Sequence, residues 1–359
     1  MAGKYTTHMG REYVQEAPVA GVFSGMAQAP RENYYTAETF QHDIWREGEE
    51  VAPVVRSVKD GNTKFSLDEF TNKEFSAVVM SEEFSINAHE LTKRQFGEID
   101  YTDPVFRASA MNLFMKHMRY GGKRQRRTLE LMASQVLQTA TVTLKDEEGE
   151  DAYTIDFKGK PTHFPTFATA WTDHANATPI ANVKSLCDVI NTDGQSKPTQ
   201  LWLGDGAYDN MLQCAEFIKY TDTQHVKIIN IEPRDVPSGA TYMGTLTATG
   251  YRLDIYTYRG EYKDVGASAN ERFLKDSSVL ILAEGLRLDA TFGAIPVIAP
   301  PEGRALSFLG GRISASSVGL DFNLNAYLSL NGKTITGEIA SKPLIIPTSI
   351  DRYGCGKAF

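Results

Sequence analysis

Apolar residues recur at helical spacing across residues 103–140. Phe106, Ala110, Leu113, Phe114 and Met118 fall on one face, with Met111 and Met115 widening the arc. After Gly121-Gly122 the period resumes: Leu129, Met132, Ala133, Val136, Leu137 and Ala140 follow the i, i+3, i+4, i+7, i+8, i+11 pattern of an amphipathic helix. Asp103-Pro104 is a helix start, a carboxylate able to accept from the first orphan N–H groups and then a proline that lacks one. Unbroken, the helix would be about 55 Å long at 1.5 Å per residue, a beam rather than a domain helix. The double glycine permits a bend or a break, since glycine inside a helix costs about 1 kcal/mol against alanine.

Around this beam the period changes to that of strands. Residues 1–48 hold no sustained pattern and read as an arm, 49–100 as an extended β-loop. The arm's aromatics, Tyr34, Tyr35, Phe40 and Trp45, favour ordering against a neighbouring copy over a loose tail. Runs at 51–58 and 64–70 flank Lys59-Asp60-Gly61-Asn62, a hairpin turn in which glycine takes positive φ without penalty. A further extended piece covers 75–87. Beyond the beam, Val142 and Leu144 oppose Tyr153, Ile155 and Phe157 across the acidic loop 145–151. A second helix starts at Thr178 as cap and Pro179, carries Ile180, Val183, Leu186, Cys187 and Ile190, and stops at Gly194.

Next come a strand at 201–203, the turn Gly204-Asp205-Gly206, a helix at 208–220, and strands at 226–231 and 251–258. They read as a small inserted α/β unit. A strand at 279–283 is apolar on both faces. Short strands follow at 286–298, 306–313, 318–328, 334–339 and 344–346. The fold class is therefore α+β. Its expected parts are an arm (1–48), a β-loop (49–100), a body carrying the long helix (101–197), the inserted unit (198–276), returning strands (277–350) and a tail (351–359).

Composition narrows the function. With 42% hydrophobic and 23% charged residues the chain is ordinary for a folded protein. A net charge of −8 argues against a protein whose main task is gripping nucleic acid. No apolar run reaches the length of a membrane span, and residues 1–10 are polar without a signal core, so the expectation is a cytosolic product with no membrane contact. Cys187, Cys214 and Cys355 are too scattered for a zinc cluster or disulfide framework, and the first two read as small core residues. His163, Asp173 and His174 are the one close grouping of metal-ligand types, but their spacing matches no ligand motif. Gly204-Asp205-Gly206 lacks the register and lysine of a phosphate loop, and reads as a tight strand-to-helix turn. No catalytic, cofactor or metal site is assigned.

Lys116, Arg119, Lys123, Arg124, Arg126 and Arg127 form, with His117, a basic block on the long helix. It reads as a solvated face, as a nucleic-acid footprint, or as a partner for acid on another copy. Acid is available at 47–50, 81–83 and 146–151. Such pairs would set register more than strength.

In this order the segments resemble the lambda-type (E family) major capsid proteins of tailed phages. The similar features are Phe164-Pro165-Thr166-Phe167, Trp171-Thr172-Asp173, Pro179-Ile180 and Pro198-Thr199-Gln200-Leu201 before Gly204 and Ala207-Tyr208. Gly250 to Tyr256, Tyr262-Lys263-Asp264, Phe292-Gly293, Ser341 to Leu344, and residues 127–137 at the end of the long helix complete them. The similarity spans roughly 50–348; each motif is short and only their order is specific.

The resemblance implies the Hong Kong 97-type capsid fold: N-arm, extended loop, peripheral domain on a spine helix, and axial domain. It implies self-assembly as hexamers and pentamers into an icosahedral virion shell around packaged double-stranded DNA, assembled in the host cytoplasm. Partners would be a separate scaffold protein, in some members a decoration protein, and a portal at one vertex, with only non-specific contact to the DNA. On this reading the interface residues are the loop tip Lys59, Asp60, Gly61 and Asn62, the basic block, and the four arm aromatics. Two alternatives are an encapsulin-like cargo shell of the same fold and a metal-dependent hydrolase using His163 and His174.

Overall fold

The computed structural model describes residues 21–30, 33–34, 39–45, 70–87, 105–221, 229–236, 239–247, 250–295, 323–328 and 334–359. The expected beam is there: α1 (Val105–Thr139), 35 residues and about 52 Å, uninterrupted through Gly121-Gly122. The reason is close packing rather than a bend. A Cβ on Gly121 would lie 2.5 Å from Cδ1 of Ile339, whose carbonyl in turn accepts from Nε2 of Gln125 at 3.0 Å.

Before α1, β1 (Ala27–Gln28) runs parallel to a later strand, and β2 (Thr39–Trp45) pairs antiparallel with β3 (Phe70–Ser76) as a two-stranded ribbon. Residues 39–45, read from sequence as arm, are thus already half of a ribbon. Phe40 lies opposite Phe75 and Trp45 opposite Phe70. β4 (Met80–Asn87) follows. After α1, β5 (Thr141–Lys145) and β6 (Asp151–Asp156) form the expected hairpin, with Val142 opposite Ile155 and Leu144 opposite Tyr153.

α2 (Pro179–Gly194) buries the expected stripe of Ile180, Val183, Leu186, Cys187 and Ile190. Thr178 does not cap it with its side chain; instead Oε2 of Glu216 accepts from the Ile180 N–H at 2.9 Å. Gly194 lies inside the helix, where a Cβ would sit 2.5 Å from the Asp351 carbonyl oxygen, and Gln195 makes the left-handed turn.

β7 (Pro198–Leu203) leads into α3 (Asp205–Gln213) and α4 (Ala215–Thr221). One helix was expected at 208–220. It breaks because Cys214 is extended and the Ala215 N–H bonds to the carbonyl of His174. Strands β8 (Ile229–Asp235), β9 (Ala240–Leu246) and β10 (Leu253–Tyr258) follow, then the small pair β11 (Glu261–Tyr262) and β12 (Glu271–Arg272). β9 escaped the sequence reading because Gly244, at φ 148°, interrupts its alternation.

β13 (Ser278–Ala283), β14 (Leu288–Phe292), β15 (Asn323–Leu328), β16 (Thr334–Ser341), β17 (Pro343–Pro347) and β18 (Tyr353–Lys357) complete the chain. A six-stranded sheet has the order β18-β13-β7-β10-β9-β8, so strands from three sequence-assigned parts share one sheet. Residues 353–357, read as tail, are a strand beside β13. Their signal was hidden by two glycines: a Cβ on Gly354 would meet the His163 carbonyl oxygen at 2.8 Å, and one on Gly356 the Phe167 ring at 2.3 Å.

One apolar cluster (Met132, Val136, Leu137, Leu280, Ile345, Tyr353) sits between α1 and the strands returning beside it. A second (Leu186, Ile190, Leu201, Met211, Ile255, Ile281) lies between the six-stranded sheet and helices α2 and α3. A third, smaller one joins Phe114 and Met118 of α1 to Ile86 and Ile339 of the β15-β16-β4 sheet.

Candidate assembly surfaces

Between residues 113 and 127, α1 divides cleanly. Phe114, Met115, Met118, Gly121 and Gln125 are buried, whereas Lys116, Arg119, Tyr120, Lys123, Arg124 and Arg127 are exposed and Arg126 is half-buried. Positions 116, 119, 120, 123, 124 and 127 follow the spacing of one helix face, so the basic block is a ridge about 17 Å long. Arg124 reaches Oε1 of Glu82 on β4 at 3.3 Å and lies 6.0 Å from the centroid of the Tyr120 ring. Burial pushes the Glu82 carboxyl up, and the Arg124 charge pulls against it. An ion pair this exposed stabilises by about 0–1 kcal/mol. Beside it the His117 ring stacks on Phe84, 5.3 Å between centroids, so β4 is held to the ridge's flank.

The other predicted interface residues are scattered. Tyr34 stacks on Phe292 of β14 at 5.2 Å and 14° between planes, within the same chain. Phe40 and Trp45 lie on the β2–β3 ribbon. Tyr35 and the tip Lys59, Asp60, Gly61 and Asn62 lie outside the described residues.

An acidic tip closes the β5–β6 hairpin, with Asp146, Glu147, Glu148, Glu150 and Asp151 exposed. The Asp146 carboxylate shapes it by accepting from the N–H groups of Glu148 (2.9 Å) and Glu150 (3.0 Å), and Gly149 takes φ 87°. At its base Lys145 meets Asp264 at 3.2 Å, and that hydrogen bond and charge raise the ammonium's pKa.

The candidate metal ligands do not converge. Nδ1 of buried His163 lies 2.8 Å from the Tyr353 carbonyl oxygen and Nε2 lies 3.0 Å from Oδ2 of Asp193. Nε2 of His174 meets Oδ1 of Asn210 at 2.9 Å, and Asp173 accepts from the Asn176 amide. Among the described residues no three His, Cys, Asp or Glu side chains group to hold a metal ion. No described helix is long and apolar enough to cross a membrane. The Gly204 turn admits nothing larger than glycine, because a Cβ would fall 2.2 Å from the Lys275 carbonyl oxygen. Asp205, opening α3, is bound by Arg259 (3.0 Å) and Arg272 (2.7 Å).

Sequence reasoning missed Glu130. It is buried on α1, 3% exposed, and holds the arm. Oε1 accepts from the N–H groups of Val22 and Phe23, both at 3.0 Å. Oε2 accepts from the Ser24 N–H at 2.8 Å and the Ser24 hydroxyl at 2.6 Å. Phe23, fully buried, lies 5.4 Å from the Trp202 ring and 5.5 Å from the Tyr258 ring. The available signal was a carboxylate in step with Ala133 and Leu137, on the apolar face of the helix.

A long helix flanked by sheets, a two-stranded ribbon and an α/β unit on one six-stranded sheet define a Hong Kong 97-type capsid fold, α+β in class. The chain belongs to the phage major capsid protein E family, whose model matches residues 11–353. A crystal structure assigned as a prophage capsid protein of E. coli CFT073 superposes with a TM-score of 0.65 at 14% identity, covering 98% of this chain and 99% of that one. The chain of Mycobacterium phage Patience gives 0.46 at 9% identity (99% and 85% covered), and the capsid of Myoviridae phage XM1 gives 0.44 at 8% (96% and 94%). At those scores neither adds to the fold assignment. A comparison with curated protein sequences returned no match.

Proposed function

We propose that this major capsid protein assembles with itself as hexamers and pentamers into an icosahedral shell enclosing the double-stranded DNA of a tailed phage. Its work is geometric rather than catalytic. The observation that supports this reading best is the β2–β3 ribbon, seven residues a side and paired with no third strand among the described residues. Such a ribbon is marginal in water by itself, which fits a neighbouring subunit supplying the surface that packs on it.

Three contacts carry the assembly. The loop tip Lys59, Asp60, Gly61 and Asn62 lies over an adjacent subunit. The basic ridge of Lys116, Arg119, Lys123, Arg124, Arg126 and Arg127 pairs with acid on another copy, setting register. The arm, with Tyr34, Tyr35, Phe40 and Trp45, completes the clasp. Residues 101–197 and 277–350 form the peripheral body, and 198–276 converge on the capsomer axis. The net charge of −8 suits a DNA container, since a strongly cationic wall would adhere to its cargo. A separate scaffold, a decoration protein and a portal are the expected partners, and assembly takes place in the host cytoplasm.

Electron microscopy of the purified protein, expressed with and without the neighbouring phage genes, tests the reading. Uniform closed shells that contain nucleic acid when packaging proteins are present are expected. A small monomer in every condition refutes it.

A further inference from the structure

A buried carboxylate with no basic partner costs several kcal/mol unless hydrogen bonds replace its hydration. Glu130 meets that need with donors from an unexpected quarter, more than 100 residues away in the chain. Three consecutive backbone N–H groups and the Ser24 hydroxyl, four donors in all, come from the arm. Removing the arm would strip away all four and open the ring pocket of Trp202 and Tyr258 that Phe23 fills. The carboxylate is therefore satisfied in two ways only: with the arm docked, or with water in an open groove.

Gly21 marks how closely the arm is fitted. A Cβ there would lie 2.1 Å from Oγ of Ser24 and 2.7 Å from Oε2 of Glu130. The 3-10 turn Ser24–Met26 then passes the chain to β1, which pairs with Leu288 and Asp289 of β14.

We propose that Val22–Ser24 acts as a strap whose docking on Glu130 locks the spine helix to the six-stranded sheet and so sets the subunit in its assembly-competent shape. The strap works within one subunit. Val22 and Phe23 are the plug, Glu130 is the latch, and the packing of Phe23 on the Trp202 and Tyr258 rings ties the plug to the sheet. Because three of the four donors are backbone N–H groups, side-chain specificity falls on the Ser24 hydroxyl, on Phe23 and on the absence of a side chain at Gly21. The coupling to shells rests on the function proposed above; the docking itself does not.

The test uses full-length chains carrying E130Q or Gly21→Ala, followed by hydrogen exchange and by shell yield under the conditions in which the parent assembles. A neutral amide keeps the shape but loses the charge-assisted bonds, so exchange at 22–24 should quicken about tenfold or more. Strand β13 should keep its protection, and shell yield should fall in parallel. Gly21→Ala attacks the same dock from the arm side and leaves the core untouched, so it answers if E130Q fails to fold. Unchanged protection at 22–24 in the folded variants overturns the strap. So does faster exchange accompanied by parental shell yield. A parent that never forms shells removes the function proposed above, while the exchange result still decides whether the strap docks as described.

Discussion

Gly121 and Gly337 face the same small interface, where the β15-β16-β4 sheet meets α1, and one added methyl at each should give different results. In both cases alanine gains about 0.5–1 kcal/mol by restricting the unfolded backbone. At Gly121 the new Cβ meets Cδ1 of Ile339 at 2.5 Å and Oε2 of Glu82 at 3.4 Å. The first is the far end of a flexible side chain, and turning it aside costs about 0.5–1.5 kcal/mol. The two terms nearly cancel, leaving Gly121→Ala within about 1 kcal/mol of the parent. At Gly337 the Cβ meets the Phe84 ring at 2.3 and 2.8 Å and the Phe114 ring at 2.9 Å. Those rings already pack on each other at 5.1 Å, with Phe114 buried, so they have little room to yield. Overpacking of this kind costs about 1–3 kcal/mol, and spoiling the ring pair adds to it. Gly337→Ala should therefore destabilise by about 1–3 kcal/mol. Urea unfolding of unassembled subunits, followed by tryptophan fluorescence, measures both. A Gly337→Ala chain as stable as the parent, or a Gly121→Ala chain weaker than Gly337→Ala, would refute the packing argument. The interface also fixes β4, so Gly337→Ala should misplace the extended loop and lower shell yield more than its stability loss alone explains.

Reversing Lys116 and Arg127 to glutamate should change subunit stability by no more than about 0.5 kcal/mol each, as for other exposed positions, yet slow assembly at low salt. Light scattering at several ionic strengths checks this, and an unchanged low-salt rate counts against the ridge as an interface. Burial pushes the thiols of Cys187 and Cys355 up to about 12 and raises that of Cys214. Iodoacetamide at neutral pH should then label none of the three in the folded chain and all three in urea; labelling of the native chain would show the packing to be looser. Burial pushes the Asp193 carboxyl up, but the hydrogen bonds and charges of His163 and Lys160 more than offset it and leave it below the ordinary range. A depressed carboxylate stabilises fully above its unfolded pKa, and that stability is lost as pH falls through the folded value. Asp193→Asn should accordingly flatten the acid limb of Tm below about pH 4, and an acid limb as steep as the parent's would dismiss the pairing.

The long helix, the β5–β6 hairpin, α2 and the apolar strand β13 were legible because each carries a strong local period that tertiary packing did not need to override. The order of short motifs, none specific alone, carried the family. What the sequence could not decide were the elements whose residues are chosen by a neighbour. Glycines at 244, 354 and 356 blank the alternation of β9 and β18, and the latter two are glycine because a carbonyl and a ring press on them. The break at Cys214 follows from a hydrogen bond to His174, distant in sequence. Glu130 passed unnoticed in an apolar stripe, and became intelligible only with Val22, Phe23 and Ser24 bonded to it. Periodicity records which face of an element is buried; only the assembled structure says what it is buried against.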